Sequence, residues 1–271
     1  MWDSNRNFRR LSLADEYFSN EILSQLASER LKANERHAEL VKLYLMRDYK
    51  LTGAQDMAHQ GFLRRLRILV RCIDNVFVAL PPAKVELPSD DARTDAEINL
   101  HAFVINVYGA VDNLAWIWVL ESGLTLANGK GLPKAQVGLR KSNSNVRQSL
   151  PVELSDYLTT LDDWFDYLEN FRHKVAHQVP LYVPPFYVDP RDEAAYCELG
   201  KVKRRAIAAG DSIGLDQADV AQQKLKFFRP WTVSAINSSM RSVAFHGQVL
   251  ADFNTVHSLG LKISQALVAL G

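Results

Sequence analysis

The chain has 271 residues, 47% of them hydrophobic, and its formal net charge at pH 7 is +1. One domain of this length buries a sizeable core, and a nearly neutral surface excludes a protein built throughout for polyanions. Any contact with nucleic acid must therefore come from local clusters of basic residues. The two cysteines, Cys72 and Cys197, exclude a disulfide scaffold and are typical of a reducing compartment, so we expect a cytoplasmic protein.

Helix-start signals divide the first half of the chain into three long helices. Pairs with capping-box spacing are Ser12 with Asp15, Thr52 with Gln55, and Thr94 with Glu97. The predicted helices end near Asp48, near Leu80 before two prolines, and near Glu121 before a glycine.

The sequence predicts neither a signal peptide nor a membrane span. The N-terminal residues are rich in charge and lack the apolar core of a signal peptide. The most apolar stretch, 101–120, carries Asn106, Asp112 and Asn113 near its middle. Each of these polar groups would cost free energy inside a bilayer, so we expect a buried helix of a bundle and no membrane contact.

A fourth helix is predicted by an apolar stripe with three-and-four spacing that ends before Pro180. The stripe consists of Leu154, Tyr157, Leu158, Leu161, Trp164, Phe165, Leu168, Phe171 and Val175. Arg172 lies inside this stripe, so its charge should be mostly buried and needs a polar partner. The candidates on the third helix are Asp112, Asn113 and Asn106, with Asp112 preferred.

The rest of the chain completes an all-α expectation. Residues 180–212, rich in proline and tyrosine, are predicted to form an extended insertion, and a short helix near 216–226 follows. The last long helix is predicted over about 233–267, with Ile236, Met240 and Val243 among its inward-facing residues. Long helices with short or medium connections indicate an up-and-down helical bundle, as a single domain over 1–271.

The end of the fourth helix concentrates four side chains that can carry positive charge: Arg172, His173, Lys174 and His177. The two histidines share a helix face, as zinc ligands often do. A hydrolytic zinc helix, however, has glutamate directly after its first histidine, where this chain has Lys174. A zinc site is therefore the weaker hypothesis, and we expect no metal and no cofactor.

Arg172, a polar His173 and then His177 resemble the Arg-polar-x-x-x-His motif of HEPN ribonucleases. In that family too the motif lies toward the end of a bundle helix. The resemblance covers about 95–180 and the final helix 233–267, whereas the helices within 13–80 are accessory or bundle helices outside it. Tyrosine follows the histidine by two residues in one subgroup of HEPN toxins, but this chain has Val179 there.

The resemblance implies a metal-independent endoribonuclease in which the RNA 2′-hydroxyl attacks the phosphate and leaves a 2′,3′-cyclic phosphate. Histidine transfers protons near neutral pH and arginine stabilises phosphorane charge, so His177 is assigned to proton transfer and Arg172 to charge stabilisation. His173 supports the site or contacts phosphate. The resemblance also implies a homodimer that pairs two motifs, and a toxin or phage-defence role with an antitoxin or regulatory protein as a further partner.

A basic segment precedes the fourth helix. Residues 123–152 contain no acidic residue, and their basic residues are Lys130, Lys134, Arg140, Lys141 and Arg147. Together with Lys174 they are predicted to hold the RNA backbone, although an ordinary solvated loop also explains them. The alternative function is a non-catalytic HEPN-type bundle that binds nucleotides, RNA or a partner protein, with Arg172 as a structural charge. An enclosed His177 would favour that alternative.

Overall fold

The computed structural model describes residues 17–178, 180–233 and 242–270, and most of them are helical, which confirms the all-α prediction. The helices are α1 Asn20–Leu45, α2 Thr52–Asp56, α3 Leu63–Ala79, α4 Asp90–Ser122, α5 Ser144–Ser149, α6 Val152–Thr160, α7 Asp162–His177, α8 Glu193–Ala209, α9 Ser212–Gln223 and α10 Phe245–Val268. A π-helical turn, Met57–Phe62, joins α2 to α3. The strands are β1 Tyr187–Val188, β2 Lys226–Phe227, β3 Trp231–Val233 and β4 Ser242–Ala244.

The core lies between α1, α3, α4 and α10, which pack against one another. Serine side chains cap the N-termini of the two longest helices of the bundle. Ser19 accepts a hydrogen bond from Ile22 N in α1, and Ser89 accepts one from Ala92 N in α4. Gly123 ends α4 with a positive φ of 67°, a conformation that glycine adopts without strain. The predicted end of the third helix is thus confirmed, while its start lies at Asp90 rather than near Thr94.

Contacts along the bundle give the helix directions. The Tyr44 hydroxyl donates to the Gly260 carbonyl at 2.8 Å, which places the C-terminal parts of α1 and α10 side by side. Arg30 pairs with Asp74 at 2.8 Å, so the start of α1 lies against the end of α3. Consecutive long helices α1, α3 and α4 therefore alternate in direction, and α10 runs parallel to α1.

Helix α4 is long and apolar enough to cross a membrane, by length and composition alone. In this structure 56% of its most apolar window is buried inside the bundle. Packing against α3, α7 and α10 accounts for that burial, as in the core helix of a helical bundle.

Three predicted elements differ from the structure. The fourth helix is divided at Leu161, whose φ of −100° and ψ of 3° leave the helical region between α6 and α7. Residues 180–212 are not extended throughout, because 193–209 form α8. The last helix starts at Phe245 rather than near 233: Val233 and Val243 belong to β3 and β4, and Ile236 and Met240 lie outside the described residues, as do Ser12 and Asp15.

Two small antiparallel ladders occupy the region between α7 and α10. Strand β1 pairs with β2, with Tyr187 opposite Phe227, and β3 pairs with β4, with Trp231 opposite Ala244. The α8–α9 helical hairpin is inserted between β1 and β2, and α8 packs mainly on α9. Residues 187–227 thus form a strand pair that carries a helical hairpin.

Candidate functional site

The end of α7 is fixed on α4 from both sides. Phe165 and Leu168 of α7 are buried in the core. After the helix, His101 Nε2 donates to the Leu181 carbonyl at 2.6 Å, and Val183 N donates to Glu97 at 2.7 Å. The chain is therefore held to α4 before and after the 172–177 motif, so the position of the motif follows from core packing.

Arg172 rests on an aromatic ring of α4. Its guanidinium carbon lies 5.1 Å from the centroid of the Tyr108 ring, which is the geometry of a cation–π contact. Arg172 is mostly but not fully buried, as the apolar stripe predicted. The cation–π contact stabilises the arginine without neutralising its charge, because the ring carries no net charge.

Asn106 and Asn113 do not contact Arg172, contrary to the prediction. They hold another arginine: Arg65 of α3 donates from Nε to Asn113 Oδ1 and from Nη1 to Asn106 Oδ1, both at 3.1 Å. The helical rotation of α4 explains this, since Asn106 and Asn113 face α3 while Tyr108 faces α7. The two asparagines are thus supporting residues of an arginine that sequence reasoning missed.

Asp112 lies between three arginines and is still poorly solvated. Burial raises the pKa of its carboxyl to about 6, and the nearby Arg140, Arg172 and Arg65 oppose that rise. Asp112 is therefore within electrostatic reach of Arg172, as predicted, although no hydrogen bond joins the two among the described contacts. A carboxyl with this pKa carries charge only above mildly acidic pH.

His173 and His177 are exposed on one face of the last turns of α7. Their ring centroids are 5.3 Å apart. No hydrogen bond to either imidazole is found among the described residues, so nothing in that part of the chain sets their tautomers. The described residues contain no group of three or more histidine, cysteine or acidic side chains that could hold a metal ion.

Most of the basic segment is used in ion pairs with α7. Arg147 pairs with Asp162 at 2.5 Å, Lys141 with Asp166 at 3.4 Å, and Arg140 with Glu169. Arg140 also lies over Tyr108, 5.6 Å from the ring centroid, on the same ring as Arg172. Lys130 and Lys134 are exposed and form no ion pair within the described ranges, so they remain the segment's best candidates for an RNA contact.

A very small cavity lies behind this surface. Its volume is about 10 Å³, and it is lined by Tyr108, Val111, Asp112, Leu139, Arg140, Phe165 and Leu168. That volume holds one water at most, so no small-molecule ligand enters here. Chemistry at this site must take place on its open outer face, where His173 and His177 lie.

Comparison of the chain with models of known protein families, with curated proteins and with solved structures returned no match. The assignment of a function therefore depends on the site itself.

Tyr108, Arg65 and Glu169 are the site residues that sequence reasoning missed. Tyr108 could have been found, since it lies four residues before Asp112 and so shares a face of the same helix. Glu169 lies three residues before Arg172 in an acidic run along α7, and that run signals a partner for the basic segment. Arg65 gave no signal, because nothing in the sequence separates it from Arg64 and Arg67 beside it.

Proposed function

We propose that the protein is a metal-independent endoribonuclease of the HEPN type, cleaving RNA at a site built from Arg172 and His177. The 2′-hydroxyl of RNA attacks the adjacent phosphate, and the products carry 2′,3′-cyclic phosphate and 5′-hydroxyl ends. His177 transfers the proton, Arg172 stabilises the charge of the phosphorane, and His173 contacts phosphate. No step requires a metal or a cofactor.

One observation carries this proposal: both imidazoles are exposed beside an arginine that forms no ion pair with any described residue. An exposed His177 can reach a polymer substrate, whereas a structural histidine would be enclosed and hydrogen-bonded. The Tyr108 ring holds Arg172 in one place at the edge of that face. A pre-positioned cation next to proton-transfer groups is what phosphodiester cleavage through the 2′-hydroxyl needs.

The site is completed in this proposal by a second copy of the chain. A proton-transfer residue works best when another group orients its imidazole, and the described residues supply no such group. A two-fold contact would bring the two motifs face to face, so that one His177 acts as base and the other as acid. Lys130, Lys134 and Lys174 would extend the RNA contact on either side.

The cellular setting is part of the same proposal. A ribonuclease that needs only RNA and a second subunit is harmful to its own cell unless it is controlled, so a toxin or phage-defence role with a neutralising or regulatory protein fits. Such a role places the protein in the cytoplasm, where RNA is plentiful.

The test is to incubate purified protein with a mixed pool of labelled RNA in excess EDTA and to analyse the product ends. We expect cleavage that EDTA does not inhibit, with products that resist enzymes needing a free 3′-hydroxyl. Sedimentation at micromolar concentration should give a dimer. Activity that disappears in EDTA and returns with zinc would instead support the metal hypothesis for His173 and His177, and RNA binding without cleavage would support the non-catalytic alternative.

A further inference from the structure

A stripe of α4 faces solvent between α3 and α7. At 100° per residue, Ile98, Ile105, Gly109 and Asp112 point in nearly the same direction. The outermost side chains of this stripe are open, since Ile98 is 58% and Ile105 is 37% exposed. Helix α3 packs on α4 on one side of the stripe, and α7, which carries Arg172, packs on the other side.

Arg65 reaches over this stripe from the α3 side. It is held by Asn113 and Asn106 through Nε and Nη1, and its Nη2 makes no hydrogen bond or ion pair with any described residue. Gly109 leaves the space that the Arg65 guanidinium occupies, because a Cβ at residue 109 would lie 2.4 Å from Arg65 Cζ. The guanidinium therefore lies directly against the α4 backbone, where any larger residue would displace it.

The partners of Arg65 orient it without neutralising it. Both hydrogen bonds go to neutral amide oxygens, whereas an arginine that only ties two helices together is more simply satisfied by a carboxylate. The Asp112 carboxyl interacts with Arg65 only electrostatically, as it does with Arg140 and Arg172. A fixed, partly exposed guanidinium that keeps its charge, and whose Nη2 has no partner among the described residues, is suited to bind an anion.

We propose that Arg65 binds a backbone phosphate of RNA, on the opposite side of the α4 stripe from Arg172. This inference rests on the proposed ribonuclease function and names a second substrate contact of the same site. Arg172 serves the phosphate that reacts, and Arg65 holds a neighbouring phosphate so that the strand crosses α4 in one register. Asn106 and Asn113 act through Arg65 and are positioning residues, while Gly109 gives the space.

The test measures RNA affinity in a protein that cannot cleave, so all variants carry His177→Ala. Binding of a fluorescein-labelled single-stranded RNA is followed by anisotropy over a series of salt concentrations. Arg65→Gln should weaken binding about tenfold and lower the salt slope by about 0.7, as expected for one lost phosphate contact on a single strand. Arg67→Gln is the matched control: it lies on the opposite side of α3, is exposed, and should change affinity less than about twofold.

Two further variants separate binding from a structural role. Gly109→Ala removes no charge but displaces the guanidinium, so it should weaken RNA binding nearly as much as Arg65→Gln. Its control is Gly247→Ala, where an added Cβ meets nothing within 4 Å. Arg65→Lys keeps the positive charge but lacks the planar guanidinium, so it should bind RNA more tightly than Arg65→Gln and less tightly than the protein with Arg65. Thermal unfolding of every variant sets a temperature at which all are folded during the titration.

The outcomes of the two proposals are distinguishable. If Arg65→Gln binds RNA as tightly as Arg67→Gln, the inference about Arg65 is overturned while cleavage by the unsubstituted chain still supports the ribonuclease. If the unsubstituted chain does not cleave, the proposed function fails, and the affinity comparison still decides whether Arg65 contacts RNA. An Arg65→Gln protein that loses thermal stability but keeps full affinity would show that the residue only joins α3 to α4.

Discussion

The two ends of α7 use charge in different ways. In the first half of the helix, Asp162, Asp166 and Glu169 each pair with a cation of the basic segment 123–152. In the last turns, Arg172, His173 and His177 take part in no ion pair within the described residues. Charges that are paired within the chain fix a loop to the bundle, and charges left unneutralised at a surface are available to a ligand.

The helix macrodipole acts in the same sense at both ends. It favours acidic residues near the N-terminus of α7 and cations near its C-terminus, by about 0.3–1 kcal/mol each. That explains why basic residues are tolerated in the last turn, but it does not explain why two imidazoles lie exposed on the same face beside an arginine on Tyr108. If the last turns of α7 bind RNA as proposed, substitutions in the first half of the helix should change mainly stability, and substitutions in the last turns mainly RNA cleavage.

Arg172→Ala should abolish RNA cleavage, with a loss of about 100-fold or more, because it removes the cation that stabilises the transition state in the proposed mechanism. The free energy of unfolding should fall by only about 1 kcal/mol, since the described contact of the side chain is the face of the Tyr108 ring and no described hydrogen-bond partner is left unpaired. Cleavage rates in EDTA and thermal unfolding measure the two effects. A variant that is strongly destabilised, yet cleaves RNA normally at temperatures where it is folded, would show that Arg172 has only a structural role.

Arg147→Ala should have the opposite effect. The Arg147 side chain is 11% exposed, pairs with Asp162 at 2.5 Å and donates to the Leu139 carbonyl at 2.8 Å. Removing it strands these acceptors and should lower the free energy of unfolding by about 3 kcal/mol. At a temperature where the variant is folded, its cleavage rate per folded molecule should match that of the unsubstituted chain. A selective loss of cleavage would contradict the division between the two ends.

Asp252 is a buried carboxyl beside the first half of α7. It accepts hydrogen bonds from Trp164 Nε1 and Gln248 Nε2 and forms no ion pair with a described residue. Burial raises its pKa from 3.8 to about 6, so folding favours the protonated form, and stability falls as pH rises from about 4 to about 6. Asp252→Asn should remove that fall and raise the free energy of unfolding by about 2 kcal/mol at pH 8, with little change at pH 4. Equal changes in the free energy of unfolding at pH 4 and pH 8, measured by urea denaturation, would show that the Asp252 carboxyl does not cause the pH dependence.

Lys141→Ala should have the smallest effect. Lys141 and Asp166 are both largely exposed, with side chains 66% and 55% accessible, and their atoms are 3.4 Å apart. Removing such a pair should change the free energy of unfolding by less than about 0.5 kcal/mol. RNA affinity should fall less for Lys141→Ala than for the double variant Lys130→Gln, Lys134→Gln, whose side chains are not engaged by α7. The reverse order would mean that the Asp166 pair opens to bind RNA.

The helices were predictable to the extent that local signals determined them. Pro81 and Pro82 mark the end of α3, and Gly123 marks the end of α4. Each of these signals depends on a single residue and can be read directly from the sequence. The break at Leu161 was not predictable from an apolar stripe that continues through it. Helix α8 was missed because prolines at 180–190 dominated the segment, although the alanine-rich 193–209 has high helix propensity.

The candidate site was predictable as a segment but not as a set of contacts. The density of basic side chains at 172–177 marked the end of α7 as the candidate site from the sequence. The choice of Tyr108 for Arg172, and of Asn106 and Asn113 for Arg65, depends on how α4 is rotated against α3 and α7. That rotation results from packing of the whole core, which no local pattern encodes.

Cleavage by His177→Ala tests the central claim most directly. In the proposed mechanism the exposed imidazole contributes chemistry rather than packing, so the variant should keep its thermal stability and lose RNA cleavage by about 100-fold or more in EDTA. His37→Ala, on α1, is the matched control and should cleave at the unsubstituted rate. Full cleavage by His177→Ala, with 2′,3′-cyclic phosphate ends still formed, would contradict the account.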